Sequence, residues 1–551
     1  MENDEDRVRT TVVTRSRRRV LCIFPAYAPA FGTFSHALRL VGAKAFMPPQ
    51  GLLLIANYLP ESWPVRIIDE NIARAERADF AWADVVFVTG MHIQAAQIQE
   101  IRDRAIAAGK VTVLGGPSAS SAPQNYPDYD YLHIGELGDA TDALIARIDA
   151  TVAAPPTQMR FTTRERLPMI DFPVPAYHRI RLDRYLLGTL QFSSGCPYQC
   201  EFCDIPALYG RQPRIKSPQQ LLGELDFILS QKTYPPSIYF VDDNFIANRK
   251  AAREILPHLI AWQRKNGYPL SFSCEATLNI AKLTDVLEMM REARFDAVFV
   301  GIETPELHAL KAINKEHNSA LPMIEAIQTL NRYGLEVVSG IILGLDSDTA
   351  ETEARLIDFV EGSQIPMLTM NLLQALPKTP LWDRLARAGR LVEDRWRESN
   401  VLFLRPYEEV IATWRRCIAY AYEPDRLYAR FLHQIRTTYM NRFAAPGRGR
   451  LTRSNLKRGA TLLVNLLIQI GLKADYRRSF WRTAWQAIKR GQFESLFGLG
   501  FISYHLIEFS REALRGEQNA SFYSARAQDA PVLVTAASNR ATLSSPPSRS
   551  P

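Results

Sequence analysis

Three cysteines, Cys196, Cys200 and Cys203, fall within eight consecutive positions of a 551-residue chain that holds only six cysteines. Their spacing, C-x3-C-x2-C, offers three thiolates from one loop. A tetrahedral structural zinc site asks for a fourth Cys or His close by, and none follows at a usual spacing. An iron–sulfur cluster held by three thiolates leaves one iron open to a further ligand. An open iron is a place for chemistry, so the loop reads as a cluster site. Cys22, Cys274 and Cys417 are scattered and read as buried small side chains. Cys274, beside Glu275, has the alternative of lining a pocket.

A reactive loop needs a rigid frame. Leu190 to Ser194 reads as a strand leading into the cysteines. Beyond the loop, Ser217 is placed as an N-cap and Pro218 as the first residue of a helix running to Leu229. Strands are expected at 237–241, 270–276, 296–303, 336–345 and 369–375, with helices between them. Six strand–helix units over 181–395 predict a partial (β/α)6 TIM-like barrel, whose function sits at the strand C-termini. Those ends carry the cysteines, Asp242, Asp243, Glu275, Glu303 and Gln374. Each carboxylate also has the plainer reading of a helix cap or surface ion pair.

Upstream, apolar runs at 20–25, 65–69, 85–90, 111–116 and 131–136 alternate with helical stretches such as 94–108. This pattern over 19–150 predicts an α/β, doubly wound parallel sheet. Such sheets bind ligands beyond the strand C-termini, here at Asp69, Thr89, Gly90, Gly115, Gly116, Ser118, Gly135 and Glu136. No G-x-G-x-x-G opens a helix, which argues against a nicotinamide dinucleotide. The proline-rich segment 151–180 reads as a linker.

Apolar residues at 47% and charged residues at 23% are ordinary for a globular chain. Cysteine usage excludes a secreted disulfide framework and suggests a reducing compartment. The acidic N-terminus lacks the apolar core of a signal peptide. Residues 1–18 and 517–551 read as disordered tails. A helical domain is expected over 396–516. Its most apolar run, 460–472, is too short to span a bilayer and is interrupted by Asn465 and Gln469. Basic residues flank it, from Arg448, Arg450, Arg453, Lys457 and Arg458 to Lys473, Arg477, Arg478, Arg482, Lys489 and Arg490, interleaved with Phe480, Trp481, Trp485, Phe493, Phe497 and Phe501. Two readings stand: a buried helix, or an interfacial one on an anionic membrane. Nucleic acid is not expected, since no recognisable module accompanies the net charge of +8.

The cysteine loop resembles the radical S-adenosylmethionine (SAM) superfamily, and the resemblance covers the whole predicted barrel. It implies a [4Fe-4S] cluster on Cys196, Cys200 and Cys203, with SAM on the fourth iron. Phe202 stands where the family places an aromatic near the SAM adenine. Gly301 to Pro305 resembles a SAM-contacting strand, and Gly340–Ile341 with the residues to Gly344 resembles the G-x-I-x-G adenine-side strand. Asp242, Asp243, Asn244 and Phe245 replace the common Gly-Gly-Glu. The resemblance thus implies SAM contacts from Phe202, Asp242, Asp243, Glu275, Gly301, Glu303, Gly340 and Ile341.

The upstream sheet resembles the cobalamin-binding domain of cobalamin-dependent radical SAM enzymes. Against that domain's D-x-H-x-x-G, the chain reads Asp69-Glu70-Asn71-Ile72-Ala73-Arg74, with Asn71 where His would stand. No histidine ligand to cobalt is therefore expected. The strand-end residues named above, with Asn71, become its implied cobalamin contacts. Segments 31–36, 44–52 and 204–211, with the helical C-terminal region, look like the hopanoid C-2 methyltransferase family. That likeness implies radical methylation of an unactivated carbon on a lipid, methyl delivery through cobalamin, and a flavodoxin- or ferredoxin-type electron donor. Other readings are a cobalamin-dependent oxidative cyclase or ring-rearranging enzyme, a non-catalytic iron–sulfur scaffold and an RNA-modifying enzyme.

Overall fold

The continuous apolar runs become strands. In a computed structural model, which describes residues 17–394, 397–444 and 453–516, β1 (Val20–Phe24), β2 (Val65–Asp69), β3 (Val85–Thr89), β4 (Val111–Gly115), β5 (Tyr131–Ile134) and β6 (Met159–Thr162) form one sheet. Every pairing is parallel, in the order β2-β1-β3-β4-β5-β6. Helices cover both faces, and separate apolar clusters fill the two sides. β6 lies inside the segment expected as a linker. It is an edge strand of alternating half-buried and exposed residues, which gives only a faint apolar signal. The tails expected over 1–18 and 517–551 lie outside the described residues, except Arg17 and Arg18. Arg18 donates to the carbonyls of Ile148 and Asp149, at the end of helix Asp139–Ala150.

The second sheet holds β7 (Gly188–Leu190), β10 (Ser237–Phe240), β11 (Ser271–Glu275), β12 (Phe295–Glu303), β13 (Glu336–Leu343) and β14 (Met367–Leu372). All are parallel and in sequence order, so the six-unit partial barrel of the sequence is present. Between its strands and the surrounding helices aromatic rings are packed: Phe240, Phe245, Phe272 and Phe295 meet at centroid distances of 5.2–5.5 Å. Ser193 and Ser194, expected to prolong the first barrel strand, form β8 and pair antiparallel with β9 (Arg214–Ile215). The backbone bends between Leu190 and Ser193 because Asp242, buried at the end of β10, accepts the N–H groups of Phe192, at 3.1 Å, and Ser193.

From Tyr407 the chain is helical, ending in Phe493–Leu514. Trp414 donates to the Met370 carbonyl at 2.8 Å, which ties the first of these helices to β14. Helix Arg453–Leu466 continues through a wider π segment, Leu467–Lys473. Among the described residues, no helix is long and apolar enough to cross a membrane.

Candidate active site

The two sheets present their strand C-termini to one shared cavity of about 1830 Å3. The upper lining comes from loops after β1 (Ala26, Tyr27, Pro29), β2 (Asn71) and β3 (Met91, His92). β1 and β3 are adjacent, with the chain departing in opposite directions, so the cavity lies at the topological switch point where such sheets bind ligands. Asp69 is buried and does not line the cavity. It receives Asn71 through backbone (2.9 Å) and side chain (2.7 Å), and the Tyr185 hydroxyl at 3.0 Å. Asn71 in turn accepts the Tyr27 N–H at 2.9 Å, which fixes the β1 loop.

The candidates beyond β3, β4 and β5 are used differently. Thr89, Gly90, Gly115, Gly116, Ser118, Gly135 and Glu136 are not among the residues lining the cavity. Gly116, at φ +87°, lies so close to the β3 loop that a Cβ would come 2.2 Å from Thr89 Oγ1. Ser118 donates its N–H to the Gly90 carbonyl and shares a hydrogen bond with Tyr126. Glu136 ties the upper sheet to β9, pairing with Arg214 at 2.6 Å, and also pairs with Arg166 at 3.1 Å. Sequence gives every strand end equal weight, whereas strand order singles out the switch point.

Below, the cavity is lined by all three cysteines, Phe202, Asp242, Asp243, Glu275, Gly301, Glu303 and Gly340. Of the expected SAM contacts, Ile341 alone points elsewhere: it is fully buried, and Ile342 takes the cavity-facing place. Adjacent strand residues face opposite ways, so a G-x-I-x-G reading cannot place Gly340 and Ile341 on one face. Cys274 is buried away from the lining beside Glu275.

The cysteine loop is clamped from several sides. Gly195, at φ +97°, donates its N–H to Asp243 at 2.7 Å. Cys196 N–H reaches the Gly210 carbonyl, and Glu201 N–H the Ile313 carbonyl. Glu201 receives a two-pronged hydrogen bond from Arg384, at 2.5 and 3.1 Å. All three thiols are free. Burial pushes all three above the ordinary thiol range, so they ionise readily only when a cation binds them.

Lys315 is the site residue that the sequence concealed. Its buried ammonium sits 2.5 Å from Glu303 and 5.4 Å from the Phe202 ring centre. Burial opposes its charge, but Glu303 and the neighbouring thiols hold its pKa above the ordinary value. A Cβ on Gly301 would come 2.3 Å from Glu303 Oε1 and 2.8 Å from Lys315 Nζ, so the pair depends on that glycine. Tyr198 and His317, also unanticipated, stack at 3.8 Å over the same floor. Burial raises Asp242 and Glu275 to about 7 and Asp243 to about 6. A cationic ligand beside these carboxylates favours their charged form.

Residues 190–360 match the radical SAM superfamily, and residues 379–519 match a domain described only as of unknown function, DUF4070. The chain is 54% identical over 519 residues to a hopanoid C-2 methylase of Rhodopseudomonas palustris (strain TIE-1), covering 94% of this chain and 98% of that protein. The chain belongs to the hopanoid C-2 methylase family. It is a radical SAM methyltransferase.

Two solved structures share the family's architecture. The cobalamin-dependent radical enzyme OxsB, with aqua-cobalamin and SAM bound, matches with TM-score 0.56 at 14% identity, over 92% of this chain and 81% of that one. The methyltransferase TsrM of Kitasatospora setae, with cobalamin and a [4Fe-4S] cluster, matches with TM-score 0.53 at 16% identity, over 90% and 100%. At these identities the likeness is one of fold.

The radical SAM chemistry of the family requires a [4Fe-4S] cluster and SAM. The donor set fits: three free thiols of one loop line one cavity, with Lys315 beside them. Among the described residues, no three His, Cys, Asp or Glu side chains converge on a single metal ion. A cluster that takes one thiolate on each of three irons instead spreads the sulfurs around a larger body.

Proposed function

We propose that this family member methylates an unactivated carbon of a polycyclic triterpenoid lipid, at C-2 of a hopanoid, using cobalamin with SAM. The single observation that carries this reading is the 54% identity to the R. palustris hopanoid C-2 methylase over nearly the whole of both chains. The cavity supports it, because one space joins the three thiols to the switch point of the upper sheet.

When bound, the cluster supplies an electron for SAM cleavage and the corrin a transferable methyl group. The rest falls to the chain's own side chains. Cys196, Cys200 and Cys203 hold the cluster, and Asp242 and Asp243 hold the loop that carries them. Glu303, Glu275 and Asp243 form an acidic wall for the ammonium and sulfonium of SAM, beside the rings of Phe202 and Tyr198. Tyr27, Asn71 and His92 present the upper seat for the corrin. Phe299, Ile342 and Leu372 add apolar lining that suits a hydrocarbon substrate and excludes water.

The electron donor is of flavodoxin or ferredoxin type. The enzyme works in the cytoplasm against the inner face of the membrane, in contact through its C-terminal helices. Deleting the gene should remove a methylated polycyclic lipid from the cell's lipid profile. Restoring the gene should return that lipid, and a Cys200→Ala copy should not. An unchanged profile on deletion would overturn the reading.

A further inference from the structure

Helix Arg453–Leu466 and its π continuation have two unlike faces. On one, Leu462, Leu466 and Ile470 are buried. Leu466 lies against helix Phe493–Leu514 so closely that a Cβ on Gly500 would meet it at 2.7 Å. Asn465, on the same side, donates to the Leu40 carbonyl at 2.8 Å, and Asn465 and Gln469 line the catalytic cavity. This side is a wall of the active site.

The opposite side is apolar and open. Val464 is 53% exposed, Leu472 70% and, on the next helix, Trp485 55%. Nine of the sixteen exposed large apolar side chains among the described residues fall between Leu456 and Phe493. Such a concentration is unusual unless another phase covers it. The same stretch, 453–493, holds nine basic residues and one acidic one, which accounts for the whole net charge of +8. The acidic residue, Asp475, is paired with Arg511 at 2.8 Å. Lys489 stands 5.5 Å over the Trp485 ring, an amphipathic pair of the kind found at headgroup depth.

We infer that helices Arg453–Lys473 and Arg477–Lys489 dock the enzyme on an anionic lipid bilayer, and that the docked helix is also the threshold over which an apolar substrate enters the cavity. The occupant is a bilayer because exposed apolar side chains and concentrated positive charge coincide on the same two helices. The entry route follows because that helix turns Leu463, Val464 and Leu472 outward and Asn465 and Gln469 inward. This inference rests on the lipid-substrate reading above.

The test is co-sedimentation of the full-length enzyme with vesicles of phosphatidylcholine alone, or mixed with phosphatidylglycerol. Wild type should sediment with the anionic vesicles and be released by salt. Val464→Asp/Leu472→Asp and Arg477→Glu/Arg478→Glu should bind them at least about tenfold more weakly, with unchanged melting and cluster absorbance. The same variants should methylate detergent-dissolved substrate as wild type does, and vesicle-embedded substrate poorly. Equal vesicle binding by wild type and variants would overturn the inference. So would a dimer that these substitutions dissociate, since a second copy would then cover the face. Loss of vesicle binding together with absent methylation in detergent would sink the lipid-methylation reading and leave the docking face standing.

Discussion

Between the Glu303 carboxylate and the three thiols stands the Lys315 ammonium, buried and held by charge. A positive charge beside a cluster favours its reduced state. Lys315→Met should therefore shift the cluster potential to more negative values and slow SAM cleavage at least about tenfold, with partial recovery in Lys315→Arg. An EPR-monitored redox titration checks this; an unmoved potential would reduce Lys315 to a structural partner of Glu303. Glu275 makes a second claim. Its folded pKa is about 7, against an ordinary value near 4.3, so the native state retains a proton that the unfolded chain releases. Its contribution to stability is full below about pH 4 and is lost as pH rises through about 7. Buried histidines such as His92 and His133, lowered to about 4, act in the opposite direction. The informative quantity is therefore the difference in melting temperature between Glu275→Gln and wild-type apoprotein. That difference should move in the variant's favour between pH 5 and pH 8. The cysteines were legible because three ligands at fixed spacing in one loop are a local pattern. Lys315 was not, because a lone lysine in a loop acquires its meaning only when β12 brings Glu303 beside it.

At the scale of elements, buried parallel strands announce themselves as apolar runs, and β1 to β5 lie where those runs do. β6 escaped because an edge strand exposes every other residue. The split between β7 and β8 escaped because its cause, Asp242, arrives some 50 residues later in the chain. The Phe240, Phe245, Phe272 and Phe295 rings fill the layer between the barrel strands and their helices, on the side of the sheet away from the cavity. Phe295→Ala should cost about 3–5 kcal/mol, read from the denaturant midpoint of the apoprotein. A loss below about 1 kcal/mol would mean that these rings do not hold the strand–helix layer together. The apolar run at 460–472 is open in the sequence to a buried and an interfacial reading; the structure buries Leu462, Leu466 and Ile470 and leaves Leu463, Val464 and Leu472 exposed.

Taken whole, the molecule sets three regions around one cavity. Glu136 with Arg214, Asp69 with Tyr185, and Lys378 with the Ser120 carbonyl fasten the upper sheet to the barrel side. His36 and Glu512, 3.0 Å apart, fasten it to the last helix. The order of the three regions could be read from the sequence, since each has its own periodicity. Their common cavity could not, because it is made by contacts between residues hundreds of positions apart. The chemistry assigned to that cavity is methyl transfer to a carbon of a hopanoid. The most direct test is anaerobic incubation of reconstituted, cobalamin-loaded enzyme with reductant, trideuteromethyl SAM and a non-methylated hopanoid, followed by mass spectrometry of the lipid. The account predicts a product in which one hydrogen of the lipid is replaced by a trideuteromethyl group from SAM, formed together with 5′-deoxyadenosine. SAM cleavage with an oxidised or cyclised lipid and no added carbon would contradict it.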